Sequence, residues 1–440
     1  MQLRLSPKGL VTTKFSNNES RKNSTNIEYS CMWNRALTIV EGDHMAESWI
    51  TELAKGIGKL FLNPLLYWIV LLVFLAGVKR IRKERRNFGF KLFDVFSEWN
   101  KTWAVGLLTG LILSLIFLGA GVVFSRETIL VVSGLAIILS ITLRFTLLSA
   151  SYTIGIGYLI LLVLSFILTD QYGFDGSLFT KTNFTGLVFL LTVLLIAEAV
   201  LTKRVQNSTT FPDLIAGRRG MLTGVHHIRK LSVIPFFVLV PSGLITSFVP
   251  FWPYFSMNGE TYSLMLVPLL IGFDYTVKGS LPDEAAARIS KSMFTLSGMI
   301  LLLAVGSIFI QWLSIVAIVL GIIGKEFISY RHRALENKRH AYFSRQQKGF
   351  KVLGVVPDSP AERLGLVVGD SVVKVNGQPV HSLNDFYFAL QQNTFFKLDI
   401  VDRNNEVRFV QSALYEGDHH ELGIVTTTFR NYETEQGITK

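Results

Sequence analysis

The chain has 440 residues, of which 50% are hydrophobic and only 17% are charged. Soluble domains carry about 25% charged residues, so the composition argues against a soluble enzyme and predicts a surface that contacts lipid. The net charge of +11 is consistent with loops that face anionic lipid headgroups, and we predict no nucleic-acid partner. A single cysteine, Cys31, excludes a disulfide framework and a cysteine-based zinc site.

The first 44 residues differ from the rest of the chain. They are rich in Ser, Asn, Thr and Lys and contain no apolar run, which excludes a cleavable signal peptide. We predict a disordered leader over residues 1–44. The alternative is that translation begins at Met45, because the codons for residues 40–44 can contain a purine-rich ribosome-binding sequence.

Apolar runs of spanning length follow from Leu60 to about Gly324 and predict a polytopic α-helical membrane domain over residues 45–329. The predicted spans are Leu60–Val78, Trp103–Phe124, Ile129–Leu148, Tyr152–Thr169, Phe184–Thr202, Leu231–Trp252 and Tyr262–Val277, followed by the uncharged run Phe294–Ile323.

The distribution of basic residues predicts the topology. Three segments are strongly basic, Lys79–Arg86, Lys203–Lys230 and Lys325–Lys351, and the positive-inside rule places all three in the cytoplasm. An even number of spans must then separate them, so the run Phe294–Ile323 must cross twice, with a turn near Ile310–Trp312. This gives about nine spans, with the N-terminus outside and the C-terminal tail inside.

The tail changes character after residue 329. Residues 330–347 form a charged linker, which we expect to extend the last span as a helix, and residues 428–440 form a flexible tail. Between them, Ser359-Pro360-Ala361-Glu362 is typical of a helix start, and Gly365 is typical of a helix end. Asn376-Gly377 indicates a hairpin, and Ser382 with Asp385 caps a further helix.

The order of these motifs resembles a PDZ domain of the bacterial membrane and periplasmic kind, over residues 348–427. In such domains a peptide adds as an extra strand to an open sheet edge. The resemblance predicts Lys351–Val356 as this edge, the helix Ser382–Gln392 as the other wall, and a carboxylate-binding loop that departs from the fuller GLGF pattern. The candidate peptide-binding residues are Lys348, Gly349, Phe350, Val352, Gly354, Phe386 and Leu390. Phe386 and Leu390 can equally be plain core residues.

No catalytic chemistry is evident in the sequence. There is no HExxH metalloprotease motif, no GxSxG elbow and no phosphate-cradling glycine loop. The adjacent pairs His226-His227 and His419-His420 have poor geometry for sharing a metal ion, and we interpret them as solvated. We therefore predict no enzymatic activity, no metal site and no cofactor.

Three ionisable residues lie inside predicted spans: Arg144, Glu198 and Asp274. An intramembrane charge suggests a functional site, such as the coupling site of a transporter. The alternative is structural, with Arg144 paired to Glu198 or to Asp274, or with these side chains reaching toward the headgroups. We favour the structural interpretation, because residues this near the interface are easily hydrated.

A wider resemblance runs from Met45 to the end of the chain. The chain resembles the MinJ family of cell-division topological determinants of rod-shaped Gram-positive bacteria. The stretches that carry it are Met45–Trp49, Asn63–Trp68 with the basic segment after it, Leu143-Arg144-Phe145, Leu147–Ser149, Tyr152-Thr153 and the C-terminal PDZ domain.

The family resemblance implies a scaffold in the cell membrane, enriched at the septum and poles, with a cytoplasmic PDZ domain. It would link a DivIVA-type protein, which gathers at poles and septa, to a MinD-type ATPase that carries the division inhibitor MinC. Clustered DivIVA would retain it by multivalent capture. The alternative is a transporter or intramembrane-enzyme subunit that its PDZ domain regulates.

Overall fold

A computed structural model describes residues 46–167, 182–217, 222–246, 252–253, 261–344, 349–392, 395–413 and 422–427. The predictions for the leader (1–44) and for the tail (428–440) lie outside these residues. The helices of the first part are α1 (46–60), α2 (Pro64–Phe88), α3 (Trp103–Ala120), α4 (Arg126–Ser140), α5 (Ala150–Ile167), α6 (Phe184–Lys203), α7 (Pro282–Phe309) and α8 (Leu313–Lys338). Its strands are β1 (Phe211–Ala216), β2 (Leu222–Thr246) and β3 (Thr261–Val277).

Six helices in the described ranges, α2, α3, α5, α6, α7 and α8, are long and apolar enough to cross a membrane. The uncharged run predicted to cross twice does form two helices, because α7 ends at Phe309 and α8 begins at Leu313. The predicted turn near Ile310–Trp312 is therefore confirmed. The predicted number of about nine helical spans is not confirmed.

Two predicted spans are strands rather than helices. Leu231–Trp252 falls largely in β2 and Tyr262–Val277 in β3, and the two strands form one long antiparallel hairpin. The physical reason lies in the sequence itself. Pro235, Pro241 and Pro268 interrupt the two runs, and proline in a helix interior both removes a hydrogen bond and clashes with the preceding turn. A third predicted span, Ile129–Leu148, is also broken, because α4 ends at Ser140 and a short 3₁₀ helix follows it.

A strand inside an apolar domain must satisfy the backbone groups on its outer edge. Pro235 and Pro268 lie directly opposite each other in the hairpin. The carbonyl of Pro235 faces α3 and therefore points away from β3. Because proline has no N–H, Pro235 also presents no unpaired hydrogen-bond donor on this outer side. Four other outward groups of β2 bond to α3 or to the residues beside it. The Leu231 N–H donates to the Glu98 carbonyl (3.1 Å), and the Phe237 N–H donates to the Ser114 hydroxyl (2.8 Å). The Leu231 carbonyl accepts from the Thr102 hydroxyl (2.9 Å), and the Leu239 carbonyl accepts from the Phe124 N–H (2.9 Å).

A row of small residues on α3 allows this close approach. Gly106, Gly110 and Ser114 recur at every fourth position and so share one face of the helix. A Cβ atom on Gly106 would lie 2.3 Å from the Val233 carbonyl oxygen, and one on Gly110 would lie 2.0 Å from the Pro235 carbonyl oxygen. The edge of β2 can therefore pack directly on α3 only because these two positions carry no side chain.

The C-terminal module has the local features that its motifs predict. Ser359 accepts a hydrogen bond from the Glu362 N–H at the helix start, and Ser382 and Asp385 form a reciprocal capping box. Gly365 has φ +71°, while Asn376 and Gly377 have φ +51° and +80°, as a type I′ turn requires. Its elements are β4 (Phe350–Lys351), β5 (Gly354–Val355), α9 (Pro360–Arg363), β6 (Ser371–Val375), β7 (Gln378–Pro379), α10 (Leu383–Gln391), β8 (Phe395–Val401), β9 (Val407–Ala413) and β10 (Ile424–Val425).

The module packs directly against one end of the hairpin, which we call the PDZ side of the membrane domain. A buried cluster joins the two parts. The linker also bonds to the hairpin, through a backbone hydrogen bond of 3.2 Å from the Gly224 N–H to the Phe343 carbonyl. An ion pair of 2.8 Å connects Arg403 to Asp283. The buried side chains of the cluster are Phe88, Leu92, Leu281, Phe343, Leu353, Val368 and Val425. The PDZ domain therefore packs against the membrane domain and is not connected to it by the linker alone.

Candidate functional site

The predicted carboxylate loop is only partly within the described residues, because Lys348 lies outside them. Gly349 has φ +75°, and a Cβ atom there would lie 2.3 Å from the Val372 carbonyl oxygen, so this position requires glycine. Phe350 is buried and meets the ring of Phe386 edge-on at 5.4 Å. These residues thus lie in or against the core of the module.

The structure gives the predicted peptide-binding edge, Lys351–Val356, a partner on each side. On one side, Val352 N–H donates to the Asp370 carbonyl (2.8 Å). On the other, Leu353 and Val356 donate to carbonyls of the β10 segment at 2.8 and 2.9 Å. The prediction that this edge is open is therefore wrong, because pairing with a distant strand occupies it. Gly354 also packs on the membrane domain, since a Cβ atom there would lie 3.1 Å from Pro212.

The open edge belongs instead to β10. The carbonyls of Gly423 and Val425 accept bonds from the β5 segment, and backbone groups alternate in direction along a strand, so those of Ile424 point away from β5. In the described part of the chain, β5 is the only strand that pairs with β10. Among the described residues, no strand pairs with the outer side of Ile424, a residue that is itself 1% exposed.

Helix α10 flanks the same core. Leu383 and Leu390 are buried with Leu422 and Ile424 in one cluster, and Phe386 is fully buried within it. Tyr387 is half buried and packs against this cluster. Its spacing of four residues from Leu383 and three from Leu390 puts the three side chains on one helix face. Phe388 points away from the core and is 67% exposed.

Sequence reasoning placed the groove on a strand that is paired on both sides, although the sequence also carried a signal at β10. Leu422-Gly423-Ile424 has an apolar residue on each side of its glycine, as the last three letters of the GLGF pattern do. Lys348-Gly349-Phe350 has a lysine before its glycine. Gly423 also has φ +81°, and a Cβ atom there would lie 2.4 Å from Ser359. Local pattern could not show that the last strand pairs with the first.

Two of the three predicted intramembrane charges, Glu198 and Asp274, form ion pairs, each with a different partner. Glu198 is fully buried on α6 and pairs with Lys325 of α8, which also donates to the Tyr275 hydroxyl at 2.7 Å. Asp274 pairs with Arg229 at 2.7 Å. Arg144 is exposed in the turn after α4 and, within the described residues, forms no ion pair with Glu198 or Asp274. Sequence reasoning missed Lys325 as a partner because it counted that residue with the basic loop.

The prediction that His226 and His227 are solvated is wrong. His226 is fully buried, with its Nδ1 2.9 Å from the Thr210 hydroxyl and its ring 4.9 Å from that of Phe343. Burial lowers the pKa of His226 to about 3, so it is neutral. For His227, burial opposes the charge, but hydrogen bonds to Asp213 and Asp274 outweigh it and raise the pKa to about 9. Among the described residues no group of three His, Cys, Asp or Glu could hold a metal ion.

These features define a membrane protein that carries a PDZ domain, and residues 351–399 match the PDZ domain family. The cell division topological determinant MinJ of Bacillus subtilis (strain 168) is 32% identical to the chain over 382 residues, which cover 87% of this chain and 96% of that protein. The chain belongs to the MinJ family of cell division topological determinants.

Two further relatives match the chain, and one of them is again a MinJ. A MinJ from Lacticaseibacillus paracasei is 21% identical over 371 residues, covering 83% of this chain and 96% of that protein. A protein of Clostridium perfringens named as a zinc metalloprotease is 35% identical over only 92 residues, covering 20% of this chain and 27% of that protein. The sequence lacks the HExxH motif of such enzymes. No solved structure matches the chain.

Proposed function

We propose that the chain is a non-enzymatic adaptor for division-site selection, anchored in the cell membrane with its PDZ domain in the cytoplasm. It links a DivIVA-type protein at poles and septa to a MinD-type ATPase and its inhibitor MinC, and is therefore enriched at those sites. The similarity to a division determinant over nearly its whole length carries this proposal. The pairing of Glu198 with Lys325 supports a structural role for the intramembrane charges rather than a transport site.

The open edge of β10 beside α10 supports a peptide-binding role for the PDZ domain. We propose that a partner segment adds as a strand to Ile424 and inserts a side chain against Leu383, Tyr387 and Leu390. Phe386 supports this wall from within the core. Of the other residues predicted for the groove, Gly349, Phe350, Val352 and Gly354 hold the surrounding strands in place.

Truncating the wall of the groove should weaken partner binding. In the full-length chain in detergent, we expect Tyr387→Ala to reduce the affinity for the DivIVA-type or the MinD-type protein by about tenfold or more, as truncation of a buried aromatic anchor does. The measurement is equilibrium binding to each purified partner.

Phe388→Ala is the matched control, because it removes an aromatic side chain from the same helix on the outward face. It should bind both partners as the unaltered chain does, and thermal unfolding should show that both variants are folded. Unchanged binding of Tyr387→Ala to both partners would contradict the groove, while the adaptor role could still rest on another surface.

A further inference from the structure

A polar cavity of about 450 Å³ lies between the membrane domain and the PDZ domain. Its membrane-domain wall comes from the connection between α2 and α3 (residues 89–102), from residues 208–211 and from Lys230 of β2. Its other wall comes from the PDZ domain, at Val356–Asp358 and Glu362. The peptide groove between β10 and α10 is not part of it.

Lys230 is the notable residue in this wall. Lys230 is only 6% exposed. Among the described residues its ammonium donates one hydrogen bond, a long one of 3.4 Å to the Ser97 carbonyl, and lies 5.9 Å from the centre of the Phe211 ring. The carboxylate that favours its charge, Glu98, bonds to the Arg80 guanidinium at 2.8 Å. Burial lowers the pKa of Lys230 to about 8. A buried ammonium with so few partners carries a desolvation cost that an anion in the cavity would offset.

The rest of the membrane-domain wall suits an anion with several oxygens. Lys101 lines the cavity and, among the described residues, has no acidic side chain within 4 Å. Asn100, Ser208 and Thr209 line it as well, with side-chain groups able to donate hydrogen bonds to phosphate oxygens. Three acidic residues also line the cavity. Asp358 and Glu362 are on the PDZ wall, where Glu362 accepts from the Asp358 N–H at 2.6 Å, and Asp94 of the membrane-domain wall is paired with Lys91 at 2.7 Å.

The cavity lies at the level where lipid headgroups are expected. Trp99 and Trp103 stack at 4.4 Å at the start of the spanning helix α3, and Phe96 and Trp103 are 51% and 50% exposed. Exposed aromatic residues at the end of a span mark the membrane–water interface. A phosphate group attached to a phospholipid could therefore reach Lys230 from the membrane.

We propose that this cavity binds a phosphate group, with the Lys230 ammonium as its buried ligand and Lys101 as a second cation. The phosphate belongs either to the headgroup of an anionic phospholipid or to a free phosphate. In either case the ligand sits where the PDZ domain meets the membrane domain, so it stabilises the contact between them.

The test uses the purified full-length chain in neutral detergent and its thermal unfolding midpoint. Three additions are compared: short-chain phosphatidylglycerol, phosphatidylcholine with the same acyl chains, and inorganic phosphate. We expect phosphatidylglycerol to raise the midpoint by several degrees, with a half-saturating concentration that Lys230→Met increases about tenfold or more. Methionine keeps the length and packing of the lysine stem, so this variant should fold and be at least as stable without ligand.

Lys374→Met, at an exposed position of β6, is the matched control and should keep the full response. An equal response to inorganic phosphate would support the site and identify its ligand as free phosphate, while a response to phosphatidylglycerol alone would identify a lipid headgroup. The proposal is overturned if no addition raises the midpoint, or if Lys230→Met responds as the unaltered chain does.

Discussion

Lys325→Met should lower the free energy of unfolding by about 3–5 kcal/mol, because it leaves the buried carboxylate of Glu198 without its cation. Both side chains are almost fully buried, at 2% and 0% exposure. Glu198 would retain only the Ser149 hydroxyl at 2.7 Å and the long contact of 3.4 Å to the Ala150 N–H. Denaturant unfolding of the full-length chain in detergent micelles measures the loss.

Two further variants make this result specific to the pair. The double variant Lys325→Met with Glu198→Gln should recover most of the lost stability, because it removes both charges together. Arg144→Gln should change stability little, because Arg144 is exposed. If Lys325→Met is as stable as the unaltered chain, the two residues do not form a buried ion pair.

Gly110→Ala should destabilise the contact between α3 and the hairpin by about 3 kcal/mol, at the upper end of the cost of overpacking. The added methyl group would lie 2.0 Å from the Pro235 carbonyl oxygen and 3.0 Å from its carbonyl carbon. Neither atom can move without shifting the β2 backbone. Thermal unfolding of the full-length chain in detergent measures the effect.

Gly119→Ala is the control, since it makes the same change on the same helix where nothing lies within 4 Å of the added atom. It should leave the stability unchanged or raise it slightly, because alanine favours a helix over glycine. If Gly110→Ala and Gly119→Ala changed the stability equally, the close packing of β2 against α3 would be contradicted.

The parts of the fold that local signals determine could be predicted from the sequence. The turn between α7 and α8 followed from charge and length, and the caps at Ser359 and Ser382 followed from residue type and spacing. The hairpin was missed because apolar length alone does not separate a strand from a helix inside a membrane domain. Pro235, Pro241 and Pro268 were the overlooked signal, since proline is unfavourable in a helix interior.

The site could be predicted only in part, because tertiary pairing decides it. The motifs located the PDZ domain, but which of its strands keeps an open edge depends on the pairing of β5 with β10. The pairing of Glu198 with Lys325 likewise joins residues 127 positions apart. Lys230 likewise contacts Ser97, which is 133 positions away in the sequence, and no local pattern encodes this contact.

The most direct test of the adaptor role is the position of a fluorescent fusion of the full-length chain in dividing rod-shaped cells, with and without the DivIVA-type protein. The adaptor role predicts signal at septa and poles that becomes diffuse along the membrane when the DivIVA-type protein is absent. A diffuse membrane signal in both strains, or septal signal that does not depend on the DivIVA-type protein, would contradict it.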